Sequence, residues 1–394
     1  MGGAALNYLG VATPRMSPET YFKLKTKYHN ILTGLYKHVT TPVEAPGKTS
    51  YGDLDYLVAE PILKNDANNT TMVKKVKAAF GAEHMTTAPG PTTSFAVPIE
   101  SDEGGGQTEE GREKIYAQID VNVRSSVEEM WWVSFKHSYG DFWSILGMML
   151  RAKGLVADSK CLNVRIKEIE PHNRELAKVE LTRDVNETLE FLGLDPKKFE
   201  KGFETVQEVF EYSAGCRFFE ERYFKERRFA NARDRSKAGK REMLKGWFEF
   251  LGLDISLIAN IESDKREGGG MEAEEEAGRE EDKVKESGTD TPEEGLTREL
   301  VLEEALERFH KRPAYEEKIK AWRRNLRIEA VAKGVTRGLI DGGHYGPKSA
   351  RARSSKLRKR INDGEMDEIF DMTEEQVEVF IQDRLKEIVG HHHP

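Results

Sequence analysis

The sequence contains few cysteines and no long apolar run. Cys161 and Cys216 are the only two cysteines in 394 residues, which suits a reducing compartment and excludes a cysteine-rich zinc module. No stretch approaches the roughly 20 apolar residues that span a bilayer. The first residues also lack the basic flank and apolar core of a signal peptide. These absences predict a soluble intracellular protein, nuclear or cytoplasmic, without a membrane partner.

Charge is distributed unevenly along the chain, whose formal net charge is −8. Residues 261–297 are dominated by Glu, Asp and Gly. Such a segment buries too little apolar surface to offset its chain entropy, so we predict a disordered acidic linker. The excess of acids there conceals a basic region between Lys318 and Arg360, which contains Glu329 and Asp341 as its only acids.

The apolar pattern changes from mixed to helical along the chain. Helical spacing predicts a first helix from Ser17 to Leu35, with Ser17 as its N-cap. Alternation predicts strands over Gly52–Val58, Thr93–Ile99 and Lys114–Val123, and beyond Gly154 the spacing becomes helical. The fold class predicted is α+β, a mixed β-sheet backed by helices and followed by an all-helical C-terminal half. The corresponding domains are 1–160, a helical domain 161–260, the acidic linker 261–297 and a basic helical region 298–394.

Three aspartates on predicted strands form the main candidate site. Asp53 and Asp55 lie two residues apart on one strand, so their carboxylates share a face about 7 Å apart along the chain. Asp120 lies on the clearest predicted strand, and its side chain faces away from the apolar side chains of Ile119 and Val121. Mg²⁺ prefers oxygen ligands, and two such ions can clamp the attacking and leaving oxygens of a phosphoryl displacement. The alternative is a set of solvent-facing acids at strand ends.

The residues around these aspartates resemble the polymerase beta superfamily of nucleotidyltransferases. Gly47-Lys-Thr-Ser-Tyr-Gly-Asp-Leu-Asp-Tyr-Leu-Val is similar to the metal-binding strand of that family. Ile115–Val123 resembles the strand that carries its third aspartate. Phe135–Leu155 and Leu181–Asp195 resemble the segment after the palm and a later thumb signature. The likeness covers about residues 15–200, and the ordered set is more specific than any single motif.

The resemblance implies a palm-like domain over 1–160 and a thumb-like domain over 161–260. It also implies two-metal catalysis with Mg²⁺ or Mn²⁺ and a nucleoside triphosphate substrate. Asp53 and Asp55 would hold the triphosphate-bound ion and share the second ion. Asp120 would hold the ion that activates a hydroxyl of the acceptor, expected to be a nucleic acid end, and would accept its proton.

The loop before the first aspartate departs from the family pattern. The family has Gly-Ser about ten residues before that aspartate, where this chain has Pro42 and Val43. A loop two residues longer would bring threonines to this position, with a lysine supplying charge. The predicted nucleotide-binding residues are Thr40, Thr41, Lys48, Ser50 and Gly52.

Two segments combine features of nucleic-acid binding. Arg217–Lys245 interleaves aromatic and basic residues, a pattern that is typical of base stacking and phosphate contacts but also of an amphipathic helix with an aromatic core. Lys348–Arg360 is strongly basic, and it could bind phosphates or serve as a nuclear import signal. The predicted nucleic-acid-binding residues in it are Lys348, Arg351, Arg353, Lys356, Arg358, Lys359 and Arg360.

Three classes of function are consistent with these features. A metal-dependent nucleotidyltransferase is favoured because all three aspartates are present. A catalytically silent nucleic-acid-binding protein that retains the fold is the first alternative, since the triphosphate loop is altered. An interaction scaffold, with the acidic and basic segments binding partners, is the second.

Overall fold

A computed structural model describes residues 3–62, 69–87, 90–99, 114–221, 224, 240–253 and 296–390. Twelve α-helices and eight β-strands lie within them. The strands are β1 (Tyr36–Thr40), β2 (Leu54–Pro61), β3 (His84–Thr87), β4 (Thr92–Pro98), β5 (Tyr116–Val123), β6 (Leu155–Ala157), β7 (Leu162–Arg165) and β8 (Lys178–Thr182). The acidic linker predicted over 261–297 falls outside the described residues except at its last two positions.

The helices alternate with the strands up to β8 and then dominate the described residues. They are α1 (Pro18–Thr33), α2 (Asn69–Phe80), α3 (Val127–His137), α4 (Phe142–Ala152), α5 (Val185–Phe191), α6 (Pro196–Lys201), α7 (Val206–Ala214), α8 (Glu242–Phe250), α9 (Arg298–Arg308), α10 (Arg312–Asp341), α11 (Pro347–Asn362) and α12 (Glu374–Gly390). The predicted α+β class is confirmed, and the described residues beyond β8 are helical apart from their connections. None of these helices is long and apolar enough to cross a bilayer.

Five strands form a mixed sheet in the order β1-β2-β5-β4-β3. The central pair, β2 and β5, is parallel, whereas β1 pairs with β2 and β4 pairs with β5 in the antiparallel direction. Alternate side chains of a strand face opposite sides of a sheet. Consequently one face of β2 and β5 can be buried while the other carries polar groups.

The buried face of this sheet packs against α1 and α2. Its apolar side chains form one core with those of the two helices. The strand members of that core are Tyr36, Leu54, Tyr56, Val58, Phe95, Val97, Ala117, Ile119 and Val121. Helix α1 begins as the sequence predicts, because the Ser17 hydroxyl accepts a hydrogen bond from the Thr20 N–H at 3.2 Å. Burial of this face fixes which side chains of β2 and β5 lie on the other one.

A small second sheet, in the order β6-β7-β8, was absent from the sequence-based prediction. Its strands are three to five residues long, too short for a clear alternating pattern. They begin just after Gly154, which ends the α4 region with a φ of +71°. The region 161–260 therefore contains strands as well as helices.

The chain divides into two compact units. The first comprises Met1–Val164 and Glu180–Ala305, and the second comprises Arg165–Val179 and Leu306–Pro394. The predicted palm-like and thumb-like regions fall mainly in the first unit. The second unit has its own core, built from α10, α11 and α12.

Glycines on α10 allow the second unit to pack tightly. A Cβ on Gly338 would lie 2.4 Å from Leu385 Cδ1, and one on Gly334 would lie 2.7 Å from Ile381 Cδ1. Both partners belong to α12. The absence of a side chain at these two positions therefore sets how closely α10 and α12 approach each other.

Candidate functional site

The parallel pairing of β2 with β5 brings two of the predicted site residues together. Asp55 is the register partner of Asp120, as Leu54 is of Ile119. Register partners on neighbouring strands face the same side of a sheet, about 4.8 Å apart. The pairing that buries Leu54 and Ile119 therefore places the two carboxylates side by side on the opposite face.

Asp53 lies just before β2, two residues from Asp55, and its charge acts on both other aspartates. Burial and then repulsion by Asp53 and Asp120 raise the pKa of Asp55 to about 7. The Asp55 side chain nevertheless has an exposed surface. Repulsion by the neighbouring carboxylates raises the pKa of Asp55 even without burial, because it disfavours the charged form of the side chain.

Asp120 has two hydrogen-bonding neighbours on the sheet. The Gln118 Nε2 donates to Asp120 Oδ1 at 3.0 Å, and Ser94, its register partner on β4, also bonds to the carboxylate. Burial and the charge of Asp53 raise the pKa of Asp120 to about 6, although these hydrogen bonds act in the opposite direction. Asp120 keeps partial solvent access.

No three His, Cys, Asp or Glu side chains among the described residues surround one point as the ligands of a metal ion would. The chemistry of Asp53, Asp55 and Asp120 nevertheless suits a hard cation, since they offer carboxylate oxygens and repel one another. A divalent cation would offset that repulsion. They stay the predicted ligands of Mg²⁺ or Mn²⁺ by their chemistry.

Glu44 is a fourth carboxylate near Asp55, and the sequence analysis missed it. Its charge adds to the increase in the pKa of Asp55. The Tyr21 hydroxyl donates to one Glu44 oxygen, and Lys48 Nζ donates to the other at 2.5 Å. Lys48 also lies over the Tyr51 ring, 4.7 Å from its centroid. Lys48, predicted to bind nucleotide, is therefore close to Asp55 but paired with Glu44.

The other predicted nucleotide-binding residues lie around the same loop. Thr40 ends β1 opposite Leu57, which shares a face with Asp55, and Thr41 follows it. Ser50 binds Arg15, whose Nε donates to the hydroxyl at 2.8 Å and whose Nη2 donates to the carbonyl at 2.6 Å. Gly52 is buried immediately before Asp53. Their common neighbourhood is the segment that leads into β2.

Arg15 is a basic residue that the sequence analysis also missed. It is exposed and lies in the described N-terminal segment, far from the predicted loop in sequence. No ion pair with a described carboxylate accompanies its two hydrogen bonds to Ser50. Only the long-range pairing of Met16 with Tyr51, which is not visible in local patterns, brings it there.

The predicted nucleic-acid-binding residues all lie on α11, within the region 298–394 that the sequence predicts to be basic and helical. Six are exposed, and Arg353 is half-buried over the Tyr345 ring at 4.1 Å. Arg360 pairs with Glu365 at 2.7 Å. No ion pair joins the other five to a carboxylate among the described residues. These five are Lys348, Arg351, Lys356, Arg358 and Lys359.

A groove of about 450 Å³ between α10 and α11 adds two cations to this surface. Lys333 and Arg337 of α10 line it together with Arg351 of α11. Asp341 is the one acid among its lining residues. The α10–α11 hairpin therefore presents a predominantly cationic surface.

The described aromatic side chains of the Arg217–Lys245 segment favour the alternative of an aromatic core over base stacking. Phe218 and Phe224 are almost fully buried, and so is Trp247 just beyond the segment. Rings in a core are unavailable for stacking on bases. The remaining residues of the segment, 222–223 and 225–239, lie outside the described residues.

Neither cysteine has the features of a nucleophile. Cys161 and Cys216 are buried, and burial raises the pKa of the first to about 12 and of the second to about 11. A thiol that stays protonated is a poor nucleophile and metal ligand.

No protein-family model matches the chain, and no curated protein is significantly similar to it.

Proposed function

We propose that this chain is a metal-dependent nucleotidyltransferase with a palm-like catalytic sheet. The observation that carries the proposal is the register pairing of Asp55 with Asp120, with Asp53 two residues away. Together they place three mutually repelling carboxylates on one accessible face of a sheet. Repulsion among clustered carboxylates disfavours their charged forms, whereas a site for divalent cations depends on such a cluster.

In the proposed reaction an acceptor hydroxyl attacks the α-phosphorus of a nucleoside triphosphate. The new P–O bond forms as the α–β phosphoanhydride bond breaks, and pyrophosphate leaves. Asp53 and Asp55 would hold Mg²⁺ or Mn²⁺ beside the triphosphate, and Asp120 would take the hydroxyl proton. Bound divalent ions supply charge neutralisation during such a displacement.

Cations near the loop before β2 would bind the triphosphate. Arg15 is fixed by Ser50 while its charge has no carboxylate partner among the described residues. Lys48 would have to exchange its contact with Glu44 for one with phosphate. This assignment replaces the glycine and serine that the resembling family uses.

The acceptor is proposed to be a nucleic acid, bound through phosphates by α11. Five exposed cations without carboxylate partners among the described residues favour an anionic polymer. The same observation supports the second candidate, a silent nucleic-acid-binding protein, if catalysis is absent.

A survey of substrates tests the proposal. The purified chain would be incubated with each labelled ribo- and deoxynucleoside triphosphate, mixed RNA and DNA acceptors, and Mg²⁺ or Mn²⁺. Metal-dependent labelling of an acceptor that EDTA abolishes supports the enzyme. Salt-sensitive binding without labelling by any nucleotide supports the silent binder instead.

A further inference from the structure

The N-terminal segment, residues 3–16, lies against the aspartate face of the five-stranded sheet. The Gly3 N–H donates to Asp53 Oδ2 at 3.2 Å. The Ala5 N–H donates to Gln118 Oε1 at 3.0 Å, and the amide of Gln118 in turn donates to Asp120. Two of the three aspartates are thus linked to backbone amides of one segment.

Independent contacts hold this segment in place. Leu6 is fully buried and Val11 is 6 % exposed, and both pack with Ala96 and Tyr116. Backbone hydrogen bonds also join Met16 to Tyr51 in both directions, at 2.7 and 3.0 Å. The segment is therefore a fixed part of the first unit, and the aspartates gain partners whose positions are set elsewhere.

Glycine is the only residue type at position 3 that permits this approach. Its φ of +82° favours glycine, and a Cβ there would lie 2.3 Å from the Gly52 carbonyl oxygen. Gly10 has a similar φ of +71°, but a Cβ there would have no atom within 4 Å. Alanine at Gly10 therefore brings the backbone strain alone, and alanine at Gly3 adds a collision beside Asp53.

Gln118 is suited to connect an amide donor to a carboxylate. It is 2 % exposed in the middle of β5. Its oxygen accepts from Ala5 while its nitrogen donates to Asp120, so both ends of the side chain are used. Methionine has nearly the same length and could make neither strong hydrogen bond.

We infer that the N-terminal segment positions the metal-binding aspartates, with Gly3 orienting Asp53 and Gln118 orienting Asp120. The inference rests on the proposed function. Gly3 and Gln118 are positioning residues, since they act through the carboxylates. Partners that orient the ligands of a metal ion typically change its affinity by about 10- to 100-fold when they are removed.

Titration calorimetry with Mn²⁺ tests this inference without requiring activity. The affinity of folded Gly3→Ala and Gln118→Met should fall by about 10-fold or more. Gly10→Ala, the matched control for backbone strain, should bind Mn²⁺ within about twofold of the unaltered chain. With substrate, kcat should fall more than KM rises, because orientation of the reacting groups is lost.

The two proposals fail in different ways. Unchanged Mn²⁺ affinity in Gln118→Met, in a folded protein, would overturn the positioning role and leave the proposed function intact. An equal loss of affinity in Gly10→Ala and Gly3→Ala would overturn the role of Gly3. If the unaltered chain failed to bind Mn²⁺ at all, the proposed function and this inference would both be overturned.

Discussion

Asp55 and Asp120 are direct neighbours across parallel strands, in the same register that buries Leu54 beside Ile119. A slip of one residue would exchange the two faces, exposing the apolar pair and burying the carboxylate. Core packing and placement of the acids are thus one structural requirement. Stability of the sheet guarantees the proximity of the two charges, even though those charges repel each other.

The repulsion predicts a pH-dependent effect of Asp55→Asn on stability. The folded-state pKa of about 7 exceeds the usual value of ~3.9 for an unfolded chain. The folded state therefore binds more protons between these pH values, and the contribution of Asp55 to stability falls as pH rises from about 4 to about 7. Asp55→Asn should raise the melting temperature of metal-free protein at pH 8, with a smaller gain at pH 5.

The control for this prediction is Asp363→Asn, at an exposed aspartate of the second unit. Its melting temperature should differ from that of the unaltered chain by a similar small amount at both pH values. A loss of stability in Asp55→Asn at pH 8 would show that the carboxylate makes a favourable structural contact.

Close packing of α10 on α12 predicts that Gly338→Leu destabilises the second unit. The new side chain would collide with Leu385, and overpacking typically costs about 1–3 kcal/mol. Ala330→Leu, at an exposed position of α10, should change the free energy of unfolding by about 0.5 kcal/mol or less. Urea denaturation measures both. Failure of Leu385→Ala to restore part of the loss in Gly338→Leu would contradict the packing explanation.

The α11 surface predicts salt-dependent binding of nucleic acid. Each phosphate contact contributes a slope of about −0.7 to −0.9 in a plot of log affinity against log salt concentration. Replacing Lys356, Arg358 and Lys359 with alanine should flatten the slope. Arg360 is left unchanged because Glu365 already pairs with it.

A matched triple variant carries alanine at three cations that pair with carboxylates on the surface. These cations are Arg183, Lys245 and Lys386. Filter-binding titrations over a range of salt concentrations measure the slope of both triple variants. The slope of the matched variant should equal that of the unaltered chain. Equal flattening in the two triple variants would mean that total charge, and not α11, determines binding.

Local patterns predicted the strands that carry Asp55 and Asp120, but not the way in which those strands pair. The predicted strand also included Asp53, which lies just before β2 in the structure. Alternation alone indicated that Asp120 faces away from Ile119, and β5 has that arrangement. By contrast, the contacts of Gly3 with Asp53 and of Arg15 with Ser50 join residues far apart in the chain. No periodic signal marks such contacts, so only the folded structure relates them to the site.

Within the predicted helical region 298–394, the sequence did not give the bounds of helix α11, for a different reason. Its buried face consists of Ala350, Ser354, Leu357 and Ile361, so only two large apolar residues mark the helical spacing. Charged residues occupy much of the rest, which gave a compositional signal of basicity and a weak periodic one. The basic character was recognised, whereas the rigid presentation of the charges was not.

Nucleotidyl transfer by Asp120→Asn tests the central proposal most directly. The substitution keeps the size of the side chain but removes one charge, together with the group proposed to accept the hydroxyl proton. Transfer measured with Mg²⁺ or Mn²⁺ should fall by at least about 100-fold, at 1.36 kcal/mol per decade, while the melting temperature stays at or above that of the unaltered chain. Transfer that persists within a few fold in the folded variant would contradict a catalytic role for the aspartates.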